Sequence, residues 1–134
     1  MDKLTNIEIG TFLKLFNRGG YVLDFTTNDF DVFTMESIGI ALCNEYHMSK
    51  GKSLAAYVNS ASTSDIEKLL NDLLSYYEEN YEQEYTENLT DDEYSYCQYN
   101  AEYARLYKKC RAYMNRVLNN TTPLAVNATE LQEK

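Results

Sequence analysis

The chain has 134 residues and a formal net charge of −9. That length supports one domain around one hydrophobic core. That charge argues against a protein wrapped broadly around nucleic acid, a task that needs many Lys and Arg to neutralise phosphates. The three cysteines are odd in number and lack zinc-finger spacing, which fits reduced cytosolic thiols. No apolar run resembles a signal peptide or approaches membrane-spanning length.

In chain order, Leu4, Ile7, Ile9, Phe12, Leu13, Leu15 and Phe16 form a broad apolar helical face. Thr5 or Asn6 can cap its start, and Gly19 and Gly20 can end it by accepting left-handed backbone angles. Tyr21, Val22, Leu23 and Phe25 are strand formers, but no second strand is evident to pair with them, so an extended buried linker is expected. A second helix follows, capped by Thr27 or Asn28, with Asp29 and Asp31 in its first turn where negative charge suits the helix dipole. Its inward side chains are expected to be Phe30, Phe33 and Met35, with Ile38, Ile40 and Leu42 continuing past Gly39. Ser49-Lys50-Gly51-Lys52-Ser53 opens a short helix whose inner face is Leu54, Tyr57 and Val58.

From Asp65 a long helix carries Ile66, Leu69, Leu70, Leu73, Leu74 and Tyr77 at i, i+3, i+4, i+7 spacing. A turn falls within Glu82 to Asp92, where Asn88 and Thr90 weaken helix and Asp91 can cap the next one. The final helix runs to about Leu118 with a stripe of Tyr96, Tyr99, Tyr103, Leu106, Tyr107, Cys110, Tyr113, Met114 and Val117. Residues 63–100 carry eleven acidic side chains against one basic, and residues 101–134 six basic against three acidic. An antiparallel hairpin can use that asymmetry to set its pairing. Each exposed pair contributes only about 0.2–1 kcal/mol, so the apolar and Tyr stripe must supply most of the association energy. Residues 120–134 have a Pro and no stripe, and read as a linker toward a further C-terminal domain. The expected architecture is all-α: five or six helices, with a compact cluster over residues 1–62 packed on a long Tyr-rich antiparallel hairpin over residues 63–119.

Candidate chemistry is sparse. Ser49, Lys50 and Lys52 at a helix start could hold a phosphate or another anion through backbone N–H groups and ammonium charge. A plain cap with two solvated lysines explains the same residues, and the spaced glycines of a P-loop are missing. Cys43 and His47 at i, i+4 are half of a metal site whose other half is absent. Asp29, Asp31 and Glu36 could form a Mg²⁺-binding set for a nuclease or other hydrolase, although dipole matching accounts for both aspartates. Tyr99, Tyr103 and Tyr107 suit a homodimer interface or a core, Tyr being large, amphipathic and stiff. The acidic run from Glu78 to Glu93 is a solvated face, or alternatively the surface of an inhibitor that mimics nucleic acid. No catalytic residue, metal or cofactor is assigned.

The run FLKLFNRGGYVLDFTTNDFDVFTMESIGIALC, then SKGKSLAAYV, then DIEKLLNDLLSYYE, resembles the N-terminal region of bacterial abortive-infection family proteins. It is similar in outline to the N-terminal modules of AbiJ-like phage-resistance proteins. The matching features are Tyr21 to Phe25, Phe30 and Phe33, and Ser49 to Lys52; KKCRAYMNRVLNNTTPL looks like the segment before the family's C-terminal helical domain. The resemblance covers about residues 7–124 and contains no catalytic motif. It implies a cytoplasmic antiviral-defence protein whose effector lies outside this chain. Such effectors are compared with HEPN-type RNases, which use an Arg and a His a few residues apart. Here His47 is the only histidine and no Arg precedes it within reach. The resemblance therefore implies a non-enzymatic sensing and oligomerisation module. Its expected partners are copies of itself, a C-terminal effector domain, and nucleic acid or a phage component, with no membrane.

Overall fold

The computed structural model describes residues 3–86 and 94–121, with side chains for residues 3–85 and 101–119. The elements run α1 (Asn6–Phe16), β1 (Asn17–Arg18), β2 (Tyr21–Val22), α2 (Thr27–Ile38), α3 (Leu42–Tyr46), α4 (Lys50–Ser60), α5 (Thr63–Asn80), α6 (Glu82–Thr86) and α7 (Tyr94–Thr121). Among the described residues the domain is all-α apart from one small hairpin of two-residue strands. The turn expected around Asn88, Thr90 and Asp91, the side chain of Tyr99, and the linker after Thr121 lie outside the described residues.

Helix starts follow local chemistry. Thr5 caps α1 in a capping box with Glu8, Ser49 caps α4, and Ser62 caps α5. Thr26, in place of the expected Thr27 or Asn28, caps α2 by accepting from the Asp29 N–H. Gly39 ends α2 in the left-handed region at φ 76°, which a residue without Cβ reaches at no steric cost.

Gly19 and Gly20 do not themselves terminate α1. The helix stops at Asn17, and the glycines turn the chain so that Asn17 pairs with Val22 and Arg18 with Tyr21. The expected unpaired linker is thus a hairpin, because the second strand is made from the residues immediately before the turn. The Gly20 carbonyl then accepts the Gly51 N–H at 3.0 Å, and Asn17 Nδ2 donates to the Gly51 carbonyl at 3.2 Å. A Cβ on Gly51 would lie 3.2 Å from the Gly20 carbonyl carbon and oxygen. Two glycines far apart in the chain therefore share one backbone contact.

The core is a single cluster. All six apolar positions read from α5 are buried, as are Phe12, Leu15 and Phe16 of α1 and Cys110, Met114 and Val117 of α7. Arg116 binds Glu8 and the Lys3 carbonyl, while Arg18 lies over Tyr103, so α1 and α7 run antiparallel. Arg111 pairs with Glu78 at 2.8 Å, and Ser64 and Asn71 line one cavity with Val117 and Leu118, so α5 and α7 also run antiparallel. The short α6 packs chiefly on α7 and is the helix that periodicity did not separate. Met35 is half exposed rather than inward, because Phe30, Thr34 and Ser37 occupy the buried face of α2.

Two outcomes follow from this packing. The Arg116 guanidinium bonded to Glu8 lowers that carboxyl from the usual 4.5 to about 2. A depressed carboxylate stabilises the fold above its unfolded pKa and loses that effect as pH falls through the folded one. The urea midpoint should thus fall as pH drops from 4.5 toward 2, and Glu8→Gln should remove that component while lowering stability at pH 7. Gly51→Ala should cost about 1–2 kcal/mol in urea unfolding, in place of the gain that Ala normally gives within a helix, because the Gly20 backbone cannot swing aside.

Candidate anion site at Lys50

The three candidate anion-binding residues have different fates. Ser49 Oγ accepts the Lys52 N–H at 3.3 Å, and the Ser49 carbonyl takes the Ser53 N–H. With the Gly51 N–H held by Gly20, three of the first four amides of α4 are used inside the fold, so the expected backbone cradle for an anion is largely occupied. Lys52 is exposed, whereas Lys50 is 8% exposed. Neighbours two apart on a helix do not share a face, and the two lysines do not converge.

Lys50 is the unusual residue. Its Nζ lies 3.5 Å from Thr27 Oγ1 and 4.6 Å from the centroid of the Tyr21 ring. The hydroxyl contact is longer than the usual 2.7–3.2 Å for a nitrogen donor, and no carboxylate is bonded to the ammonium among the described residues. Thr27 opens α2, where first-turn N–H groups carry the positive end of the helix dipole. The ammonium thus lies beside a helix start whose first turn also holds Asp29, with no carboxylate bonded to it among the described residues. Burial without an opposite charge is costly unless something anionic compensates. Tyr21, 60% exposed, forms the outer wall. Neither Tyr21 nor Thr27 carries a sequence signal for this role, since both come to Lys50 only through the hairpin and through α3, which packs on both α2 and α4.

Asp31 is engaged by a neighbouring helix. Its two oxygens accept the Cys43 N–H at 2.7 Å and the Asn44 N–H at 3.2 Å, capping α3, whose own N-cap Ala41 has no side-chain acceptor. It is thus a capping residue for the next helix, in place of the dipole-matching role expected within α2. Asp29 and Glu36 are exposed, and no three His, Cys, Asp or Glu side chains among the described residues form a metal-holding group. His47 sits past the end of α3 at φ 57°, so it does not share a helical face with Cys43. Burial, with Asp31 nearby, pushes the Cys43 thiol up, and burial takes Cys110 to about 12; both are poor nucleophiles.

Tyr103 and Tyr107 are half-buried. Arg18 lies 3.8 Å above the Tyr103 ring, while Tyr107 stacks on Tyr85 at 4.2 Å and donates to Glu78. Both side chains are engaged within the chain. No helix among the described residues is long and apolar enough to cross a membrane. Comparison with family models, curated proteins and solved structures finds no match.

Asp31→Ala should lower stability by about 1–2 kcal/mol, the usual cost of a lost cap, measured by urea unfolding. Asp29→Ala, at an exposed position, should stay within about 0.5 kcal/mol of wild type.

Proposed function

We propose that this chain is a non-enzymatic sensing and assembly module of an abortive-infection type of phage-defence protein, and that Lys50 is its contact to an anionic ligand such as a nucleic-acid phosphate. The observation that carries the binding part is the Lys50 ammonium, buried beside Tyr21 and the start of α2 with no carboxylate bonded to it among the described residues. The defence setting, the cytoplasmic location and the joining to a C-terminal effector domain or to further copies rest on the resemblance of the GGYVLDF and SKGK stretches. The non-enzymatic part is supported by the engagement of Asp31, Cys43 and Cys110 in capping and packing. The hydrolase alternative would have to work without Asp31. The nucleic-acid mimic would leave Lys50 without a role.

Lys50→Met keeps the buried aliphatic stem and removes the charge. Fluorescence anisotropy with labelled single-stranded RNA and DNA, and calorimetry with inorganic phosphate, should show salt-sensitive binding that weakens at least about tenfold in this variant. The same variant should unfold at equal or higher urea concentration than wild type, as expected when a binding group is removed from a buried site. Equal binding by Lys50→Met, or a marked loss of stability, would assign Lys50 to the fold instead.

A further inference from the structure

A cleft of about 320 Å³ lies between α2 and α5, lined by Phe33, Glu36 and Ser37 on one side and Asp72, Ser75, Tyr76 and Glu79 on the other. Its floor is aromatic. Tyr76 stacks on Phe25 at 4.4 Å and meets the edge of Phe33 at 5.8 Å, while its hydroxyl is held by Asp24 at 2.8 Å. Those contacts fix the ring in place. Asp72 is tied to Lys68 and to Ser37. Glu36 and Glu79 are exposed and unpaired among the described residues, one from each wall. Next to the Glu36 rim, the outer face of α2 carries Val32 and Met35, 51% and 50% exposed at i, i+3 spacing. They form an apolar shoulder with no covering element among the described residues.

The same chain shows what such a combination holds. Arg18 is gripped by the Glu84 carboxylate at 2.9 and 3.0 Å while its guanidinium lies over the Tyr103 ring. An aromatic face beside a carboxylate is thus a working arginine receptor within this fold, through bidentate hydrogen bonding and cation–π attraction. The α2–α5 cleft offers the same chemistry outward.

We infer that the α2–α5 cleft and the Val32–Met35 shoulder form a docking surface for a basic, amphipathic segment of a partner protein, with an arginine between Glu36 and Glu79 over Tyr76. Charge complementarity selects the sign of the partner. The net charge is −9, and residues 63–100 are the acidic block. Two copies of net charge −9 repel overall, so a cationic partner is favoured over a second copy and its approach is electrostatically steered. The shoulder selects a protein over a small polyamine, because two half-exposed apolar side chains are covered only by apolar groups. The recognition pattern is a helix laid in a groove, with a basic anchor and apolar residues three and four positions away. This surface does not involve Lys50, so it stands or falls separately from the anion contact.

The probe is a fluorescein-labelled helical peptide of Ala, Leu and Arg, with each Arg followed by Leu at i+3 and i+4. Its controls are the same peptide with Glu for Arg, and spermidine. Binding to the whole chain should shift the amide resonances of Glu36, Ser37, Asp72, Ser75 and Glu79 and the methyl signals of Val32 and Met35. Glu36→Gln with Glu79→Gln should weaken it at least about tenfold, and Met35→Ser severalfold, all on surface positions that leave the fold intact. The Glu-containing peptide should not bind. Overturning results are peptide binding unchanged in these variants, resonance shifts confined elsewhere, no binding of the Arg peptide, or spermidine matching the peptide in affinity with Met35→Ser without effect.

Discussion

Arg18 is the fixed point from which the positions of the other elements follow. Its Nε and Nη2 donate to the Leu15 carbonyl at the end of α1, and its two terminal nitrogens grip Glu84 of α6. Its face lies over Tyr103 of α7, with Tyr81 at 5.4 Å. One side chain thus joins the end of the first helix to the last two. A half-buried pair of this kind adds little net stability over an apolar replacement, yet breaking it by removing one partner costs about 3–5 kcal/mol when fully buried. Its main effect is positional. The hairpin that begins beside Arg18 places the Gly20 carbonyl against Gly51 and the Tyr21 ring against Lys50. The candidate anion site is therefore downstream, geometrically, of an ion pair to which it contributes no atom.

The abundance of tyrosine has the same explanation. Tyr77 donates to Glu84, Tyr107 to Glu78 and Tyr76 to Asp24, so each ring fills apolar space while its hydroxyl reaches a carboxylate. Phe would leave the part-buried Glu84 and Glu78 carboxylates with fewer donors. Burial first, and then the neighbouring carboxylates, push all three phenols up, Tyr107 and Tyr76 to about 12, so they remain donors throughout the physiological range. Of these bonds, Tyr107 to Glu78 is the one that ties the tyrosine stripe of α7 to the acidic helix α5.

Helix α2 links the two surfaces that face outward. Its first residue, Thr27, meets Lys50, while Val32, Met35 and Glu36 further along border the cleft with α5. Asp31, between them, holds the start of α3. A helix of 12 residues with a weak apolar stripe is so engaged because its polar positions are divided among a neighbour's cap, a buried hydroxyl network and solvent.

Much of this was legible in the chain itself. The 3.6-residue period located the buried faces of α4, α5 and α7, and Thr5 and Ser49 announced helix starts, because amphipathicity and capping act over one or two turns. The charge asymmetry likewise anticipated the Glu78–Arg111 pairing of α5 with α7. What tertiary structure alone decided are the relations between distant residues: Gly20 against Gly51, Asp31 on α3, Arg18 in its aromatic and carboxylate cage, and Lys50 separated from Lys52. Each depends on which backbone or ring arrives from elsewhere in the chain, and a local pattern of residues carries no record of that arrival.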